Sequence, residues 1–198
     1  MPKIVDHVQR RQQIASIAVK LIADQGLENT TIRQIARESG YSKGIVEHYF
    51  ENKEELISCA VDWVNESYNQ RIENAVKNLA GLTALEIRIR KALPLDMETI
   101  NDWKVRLRFW SLATVDSDQQ EIQSIRFGLG RDAFIKDIKK AKKLGELSPE
   151  IKPQRAANRM LYTISGASIS SLHSPNIVTV TKLSRLPQQL IKELQSRG

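Results

Sequence analysis

The chain has 198 residues, 41% hydrophobic and 27% charged, which suits one or two small domains with a real core. Its formal charge of +7 lies outside the first 60 residues, where 8 Lys/Arg and 8 Asp/Glu cancel, so overall basicity does not mark the amino-terminal part as a polyanion binder. The single cysteine excludes an intramolecular disulfide framework and suits a reducing cytosol; the three histidines (His7, His48, His173) lack metal-ligand spacing, no phosphate loop or dinucleotide fingerprint appears, and no enzyme activity, metal or cofactor is expected.

The opening MPKIVDHVQRRQQ lacks the apolar segment of a signal peptide. Ile14, Ile17, Ala18, Leu21 and Ile22 then recur at helical spacing, with Gln25-Gly26-Leu27 as a stop, which predicts an amphipathic first helix capped near Asp6 or Gln9. Thr31 with Gln34 three residues on reads as a capping box for a second helix carrying Ile32, Ile35 and Ala36. Ser39-Gly40 breaks that pattern, and Ser42 caps a third helix with Val46, Tyr49 and Phe50 as its apolar set. Ala36 followed by Gly40 is the spacing of a helix-turn-helix: the helices cross closely at the small residue, and the turn needs a residue that accepts positive φ. The second helix of such a pair enters the DNA major groove.

Asn52 with Glu55 likewise reads as a capping box for a fourth helix, running through Leu56, Ile57, Ala60, Val61 and Val64 beyond Ile72. Cys59, in LISCAV, reads as a small buried apolar residue. A boundary near Asn52 divides the chain into a helix-turn-helix domain, 1–51, and a larger helical domain, 52–198. Further helices are predicted over Thr83–Ala92, Met97–Ala113, Gln119–Leu144, Pro153–His173 and Ile177–Leu194, the last kinked or broken at Pro187. The fold class is all-α. The uncharged run Met160–Thr181 is long enough to span a membrane, but its Ser and Thr content with Gly166, His173, Pro175 and Asn176 argues against that. A soluble, cytoplasmic protein with no membrane partner is expected.

One set of residues carries a resemblance: Ile14, Ala18, Gly26, Thr31, Ile35-Ala36, Gly40, Ser42, His48-Tyr49-Phe50, Asn52-Lys53-Glu54 and Leu56. This pattern resembles the DNA-binding domain of the tetracycline-repressor (TetR) family of bacterial regulators. The resemblance implies an all-helical chain, an amino-terminal three-helix DNA-binding domain and a larger domain that dimerises and binds an inducer. Gly44-Ile45-Val46 and the segment Leu107–Ala113 look closer to the choline-responsive repressor of betaine synthesis than to the tetracycline repressor. Glu47 departs from the aromatic residue that many members carry there.

Family roles, carried over by position, assign Arg33, Lys43, Gly44 and Glu47 to base edges. Arg or Lys donates to guanine, Glu accepts from the cytosine amine, and Gly44 lets the backbone approach. Thr31, Tyr41, Ser42, His48, Tyr49 and Lys53 are assigned to phosphates. An effector pocket is expected among Trp63, Trp103, Phe109, Trp110, Phe127 and Phe134. With Asp62 or Glu66 these rings suit a quaternary ammonium; the bases Arg88, Arg90, Lys91, Arg106 and Arg108 favour an anion instead; and both sets also read as plain core and solvated surface. The dimer interface is assigned to Leu161, Ile164, Gly166, Ala167 and Ser170 with Leu183, Leu186, Leu190 and Leu194, stripes that equally suit packing within one chain. The expected protein is a homodimeric repressor released from a palindromic operator in double-stranded DNA by a small-molecule effector. An activator of the same family and a nonspecific architectural DNA binder are the alternatives, and the neutral amino-terminal domain opposes the second.

Overall fold

The computed structural model describes residues 3–196, which form helices and no strand. α1 (Lys3–Gln25) starts upstream of both positions expected to cap it and ends at Gly26, whose φ of 90° turns the chain. α2 (Ile32–Ser39) is held by the reciprocal Thr31–Gln34 capping box. Gly40 closes it in the left-handed conformation, φ 73°, and its N–H donates to the carbonyls of Ala36 and Arg37. α3 (Lys43–Tyr49) starts where the Ser42 hydroxyl accepts from the Ile45 N–H, and α4 (Lys53–Val76) where the Asn52 side chain accepts from the Glu55 N–H. The box expected there is not reciprocal. Glu55 instead accepts from the Glu51 N–H at 2.7 Å.

The remaining elements are α5 (Gly81–Ala92), α6 (Met97–Leu112), α7 (Ser117–Lys143), α8 (Pro153–His173), α9 (Val180–Leu183) and α10 (Leu186–Gln195). Pro187 breaks the final helix rather than kinking it: α10 restarts with the proline in its first turn, where a missing N–H costs nothing. No helix among the described residues is long and apolar enough to cross a membrane.

Two hydrophobic cores result. The first joins Ile14, Ala18 and Ile22 of α1 to Ile35, Val46 and Phe50, then to Leu56, Ala60 and Val64 of α4. It also takes Val105 and Phe109 from α6, so it reaches well past residue 51. The second is built from Leu85 and Ile89 of α5, Trp103 of α6, Phe134 and Ile138 of α7, Met160 and Ile164 of α8, and Leu183, Leu190 and Leu194. Four residues assigned by sequence to a dimer interface are therefore buried within their own chain: Ile164 at 3% exposure, Leu183 at 2%, Leu190 at 4% and Leu194 at 7%. Leu161, Ala167 and Leu186 also pack against this core. Only Gly166 and Ser170 of the predicted set lie on the more open side of α8, Gly166 with nothing near its Cβ position. An apolar stripe demands burial without naming the partner, and here the partner is the same chain.

Among the described residues the fully buried charged side chains, Arg88, Asp102 and Asp137, are paired. Arg88 donates to Asp137 at 2.6 Å and to Glu73 at 2.7 Å, tying α5 to α7 and α4. Burial alone opposes its charge, but these bonds prevail and its pKa is raised. Two outcomes are expected in urea unfolding. Phe50→Ala should lose about 3–5 kcal/mol through the cavity it leaves. Arg88→Ala should lose a similar ~3–5 kcal/mol because Asp137 would stay buried without its partner, whereas Arg131→Ala, at an exposed pair, should cost under about 1 kcal/mol.

Candidate nucleic-acid interface and ligand cavity

Val46 and Phe50, at 0% and 1% exposure, fix α3 to the first core and so decide which side chains it shows to solvent. That face carries Lys43, Gly44, Ile45, Glu47 and His48. Lys43 and Glu47, both expected at base edges, form an exposed i, i+4 ion pair at 2.7 Å. Arg33 is exposed on α2. Ile45 was not foreseen: it is a large apolar side chain 41% exposed on the recognition helix, a group able to meet a thymine methyl. Its signal in the sequence is an apolar residue off the buried face that Val46 and Phe50 define.

The predicted phosphate-contacting residues are fastened locally. The Thr31 hydroxyl accepts from the Gln34 N–H at 3.2 Å and donates to the Gln34 side chain at 2.9 Å. Tyr41 donates to Gln13 Oε1 at 3.0 Å and lies under the Arg10 guanidinium at 5.8 Å. Ser42 caps α3, and His48 meets the Tyr49 ring edge-on at 5.4 Å. Lys53 is partly buried, and its ammonium donates to the Leu27 carbonyl at 2.9 Å, so one of its three donors is already used in tying α4 to the loop that follows α1.

Arg11 organises the back of this surface, a role sequence reading missed. Its guanidinium donates to the Tyr49 carbonyl and to Glu55 at 2.8 Å, and covers the Phe50 ring at 4.4 Å. It thus clamps the end of α3 to the start of α4. The Glu51 N–H, and then Arg11, hold the Glu55 carboxyl below its ordinary pKa.

A cavity of about 730 Å³ lies between α4, α5, α6, α7 and α8. Of the residues expected at an effector pocket, Trp103, Trp110, Phe127 and Phe134 line this cavity. Trp63 and Phe109 do not: Phe109 is 3% exposed within the first core, and Trp63 packs against that core. The cause is helix phase. Trp103 and Trp110 lie two turns apart and share a face, while Phe109 is rotated about 100° from Trp110. The Trp103 indole N–H donates to the Ala92 carbonyl at 2.9 Å, and its ring meets Trp110 edge-on at 5.5 Å. Exposed Thr114, Gln120, Ser124, Leu129 and Tyr162 form part of the cavity wall and give it a mouth to solvent. On the α4 side, Asn65, Tyr68, Asn69 and Ile72 complete it.

Both structures are thus carried on shared helices. α4 places Leu56 to Val64 in the first core and Tyr68 and Ile72 at the cavity, and α6 places Val105 and Phe109 in that core between Trp103, Arg106 and Trp110 at the cavity. Arg108, on α6, reaches back to Glu28 at 3.4 Å and lies over Gly26, where a Cβ would come within 3.0 Å of its guanidinium.

Comparison with known proteins agrees with this arrangement. Residues 14–58 match the family described as bacterial regulatory proteins, tetR family, and residues 83–195 match BetI-type transcriptional repressor, C-terminal. The HTH-type transcriptional regulator PksA of Bacillus subtilis is 26% identical over 195 residues, spanning 98% of this chain and 94% of its own length. The regulator BetI 1 of Chromohalobacter salexigens is 25% identical over 202 residues, with 100% and 96% covered. A solved transcriptional regulator from Saccharomonospora viridis, in complex with choline, superposes with a TM-score of 0.85 at 20% identity, over 93% of this chain and 96% of that one. With a helix-turn-helix at one end and a BetI-type helical domain at the other, the chain belongs to the TetR family and is a DNA-binding transcriptional regulator.

Proposed function

We propose that the protein is a homodimeric repressor that a small-molecule effector releases from a palindromic operator. The observation that carries this reading is the sharing of α4 and α6 between the recognition-helix core and the cavity. A ligand that moves either helix moves the platform on which α3 sits. Release requires the effector to prefer the state that fits DNA poorly, and DNA must weaken effector binding by the same factor. A coupling of about 1–3 kcal/mol corresponds to a loss of operator affinity of roughly 5- to 150-fold.

In the bound state, Arg33, Lys43, Gly44 and Glu47 address base edges, with Ile45 beside them. Thr31, Tyr41, Ser42, His48, Tyr49 and Lys53 hold the backbone. The two-fold partner meets the open side of α8, where Tyr162, Gly166, Ser170 and His173 follow one another at helical spacing. Two recognition helices then fall about 34–36 Å apart, one turn of DNA.

Selection from a random duplex library at physiological salt tests the central claim. An inverted repeat should be enriched, and the protein should bind it as a dimer. Enrichment of no sequence, with binding that collapses as salt rises, would favour the nonspecific alternative. On the selected site, Lys43→Ala should cost about 1–3 kcal/mol and flatten preference at one base pair. Lys53→Ala should weaken all sequences alike and lower the salt slope by about one phosphate. Equal loss on cognate and random DNA for Lys43→Ala would remove it from the base-reading set. Gly166→Trp should shift the solution mass toward monomer while leaving the fold intact; an unchanged dimer would place the interface elsewhere.

A further inference from the structure

The cavity holds four charged side chains, and three of them are neutralised. Arg88 is bonded to Asp137 and Glu73, which is the fourth; Arg126 is paired with Asp62. Arg106 differs. Its Nε and Nη1 are buried and have no hydrogen-bond partner among the described residues. Asp102, a buried acid that feels the Arg106 charge, is itself bonded to Arg71.

The Arg106 guanidinium is held by rings instead. It lies 4.2 Å from the Tyr68 ring, 5.2 Å from Trp103 and 5.9 Å from Trp110. These are the distances at which an aromatic cage takes a cation. The cage in this protein is therefore already filled by a cation from its own chain. Buried N–H groups of a guanidinium are normally satisfied, and a cation whose nearby acid is already bonded to another arginine raises the local preference for anions.

We propose that the cavity selects an amphipathic monoanion, a carboxylate bearing an aromatic or aliphatic body, and rejects quaternary ammonium compounds. The carboxylate accepts from the Arg106 guanidinium, the only lining cation without a salt bridge among the described residues. The body lies along Trp110, Phe127 and Phe134, an apolar wall of the right chemistry. A trimethylammonium group meets the guanidinium charge where a cage would otherwise receive it. This reading sets the protein apart from the choline-bound relative, and it rests on the cavity being the effector site.

The test uses the full chain, with Trp103 and Trp110 as intrinsic fluorophores, titrated with phenylacetate and with benzyltrimethylammonium. Phenylacetate should bind at least tenfold more tightly, and Arg106→Gln should lose that preference while keeping its melting temperature. Arg106→Met should empty the cage of charge and raise benzyltrimethylammonium affinity at least tenfold. Equal or tighter binding of the cation by the unaltered protein, binding of neither probe, or phenylacetate affinity unchanged in Arg106→Gln would each overturn the proposal. Operator release is measured separately on the selected DNA site. Phenylacetate that binds without releasing DNA leaves anion selectivity standing and removes the cavity's regulatory role; release by the cation alone does the reverse.

Discussion

The constraint on which the rest of the structure depends is that α6 has to satisfy two environments at once. Val105 and Phe109 are buried in the core that carries the recognition helix, and the residues between and around them, Trp103, Arg106 and Trp110, line the cavity. A helix turns 100° per residue, so neighbours on α6 necessarily point in different directions, and neither set moves without the other. Close-packed interiors transmit such displacements because they cannot absorb them. α4 has the same double allegiance along its length rather than around its circumference. The cavity is therefore in mechanical continuity with the DNA-reading surface, with no mobile linker required.

The helix-turn-helix was legible in the sequence because its determinants are local. Thr31, Gly40, Ser42 and Asn52 act within four residues of themselves, through caps and one left-handed turn, and the structure shows all four, with only the return bond of the Asn52 box missing. The TetR family assignment rested on those residues and on His48-Tyr49-Phe50, and the family match over residues 14–58 covers them. What sequence could not supply was the identity of packing partners. Leu183, Leu190 and Leu194 make a stripe whether it meets another protomer or, as here, the chain's own core. Trp63 and Phe109 are as aromatic as Trp103 and Trp110, and only the phase of each helix against its neighbours sends one pair to the cavity and the other to the core beneath α3.

Arginine was the least readable residue type. Sequence alone sees equivalent charges at Arg11, Arg88 and Arg106, yet each meets a different fate. Arg11 braces the junction of α3 and α4 through a carbonyl and Glu55. Arg88 is consumed by two carboxylates. Arg106 is surrounded by π faces with its Nε and Nη1 hydrogens unspent. The distinction depends on which acids the fold brings within reach, a property of long-range contacts that no spacing rule encodes.

The Lys43–Glu47 pair bears on how such a protein finds its site. Side by side on the exposed face of α3, the two charges cancel, so the recognition helix offers random DNA little net attraction. An exposed pair of this kind is worth under about 1 kcal/mol, so on the proposed reading, in which Lys43 and Glu47 address base edges, it parts readily where a guanine and a cytosine amine are within reach. Elsewhere along the duplex it stays closed. A self-cancelling reading head shortens each wrong encounter, and time saved on wrong encounters becomes speed in the search.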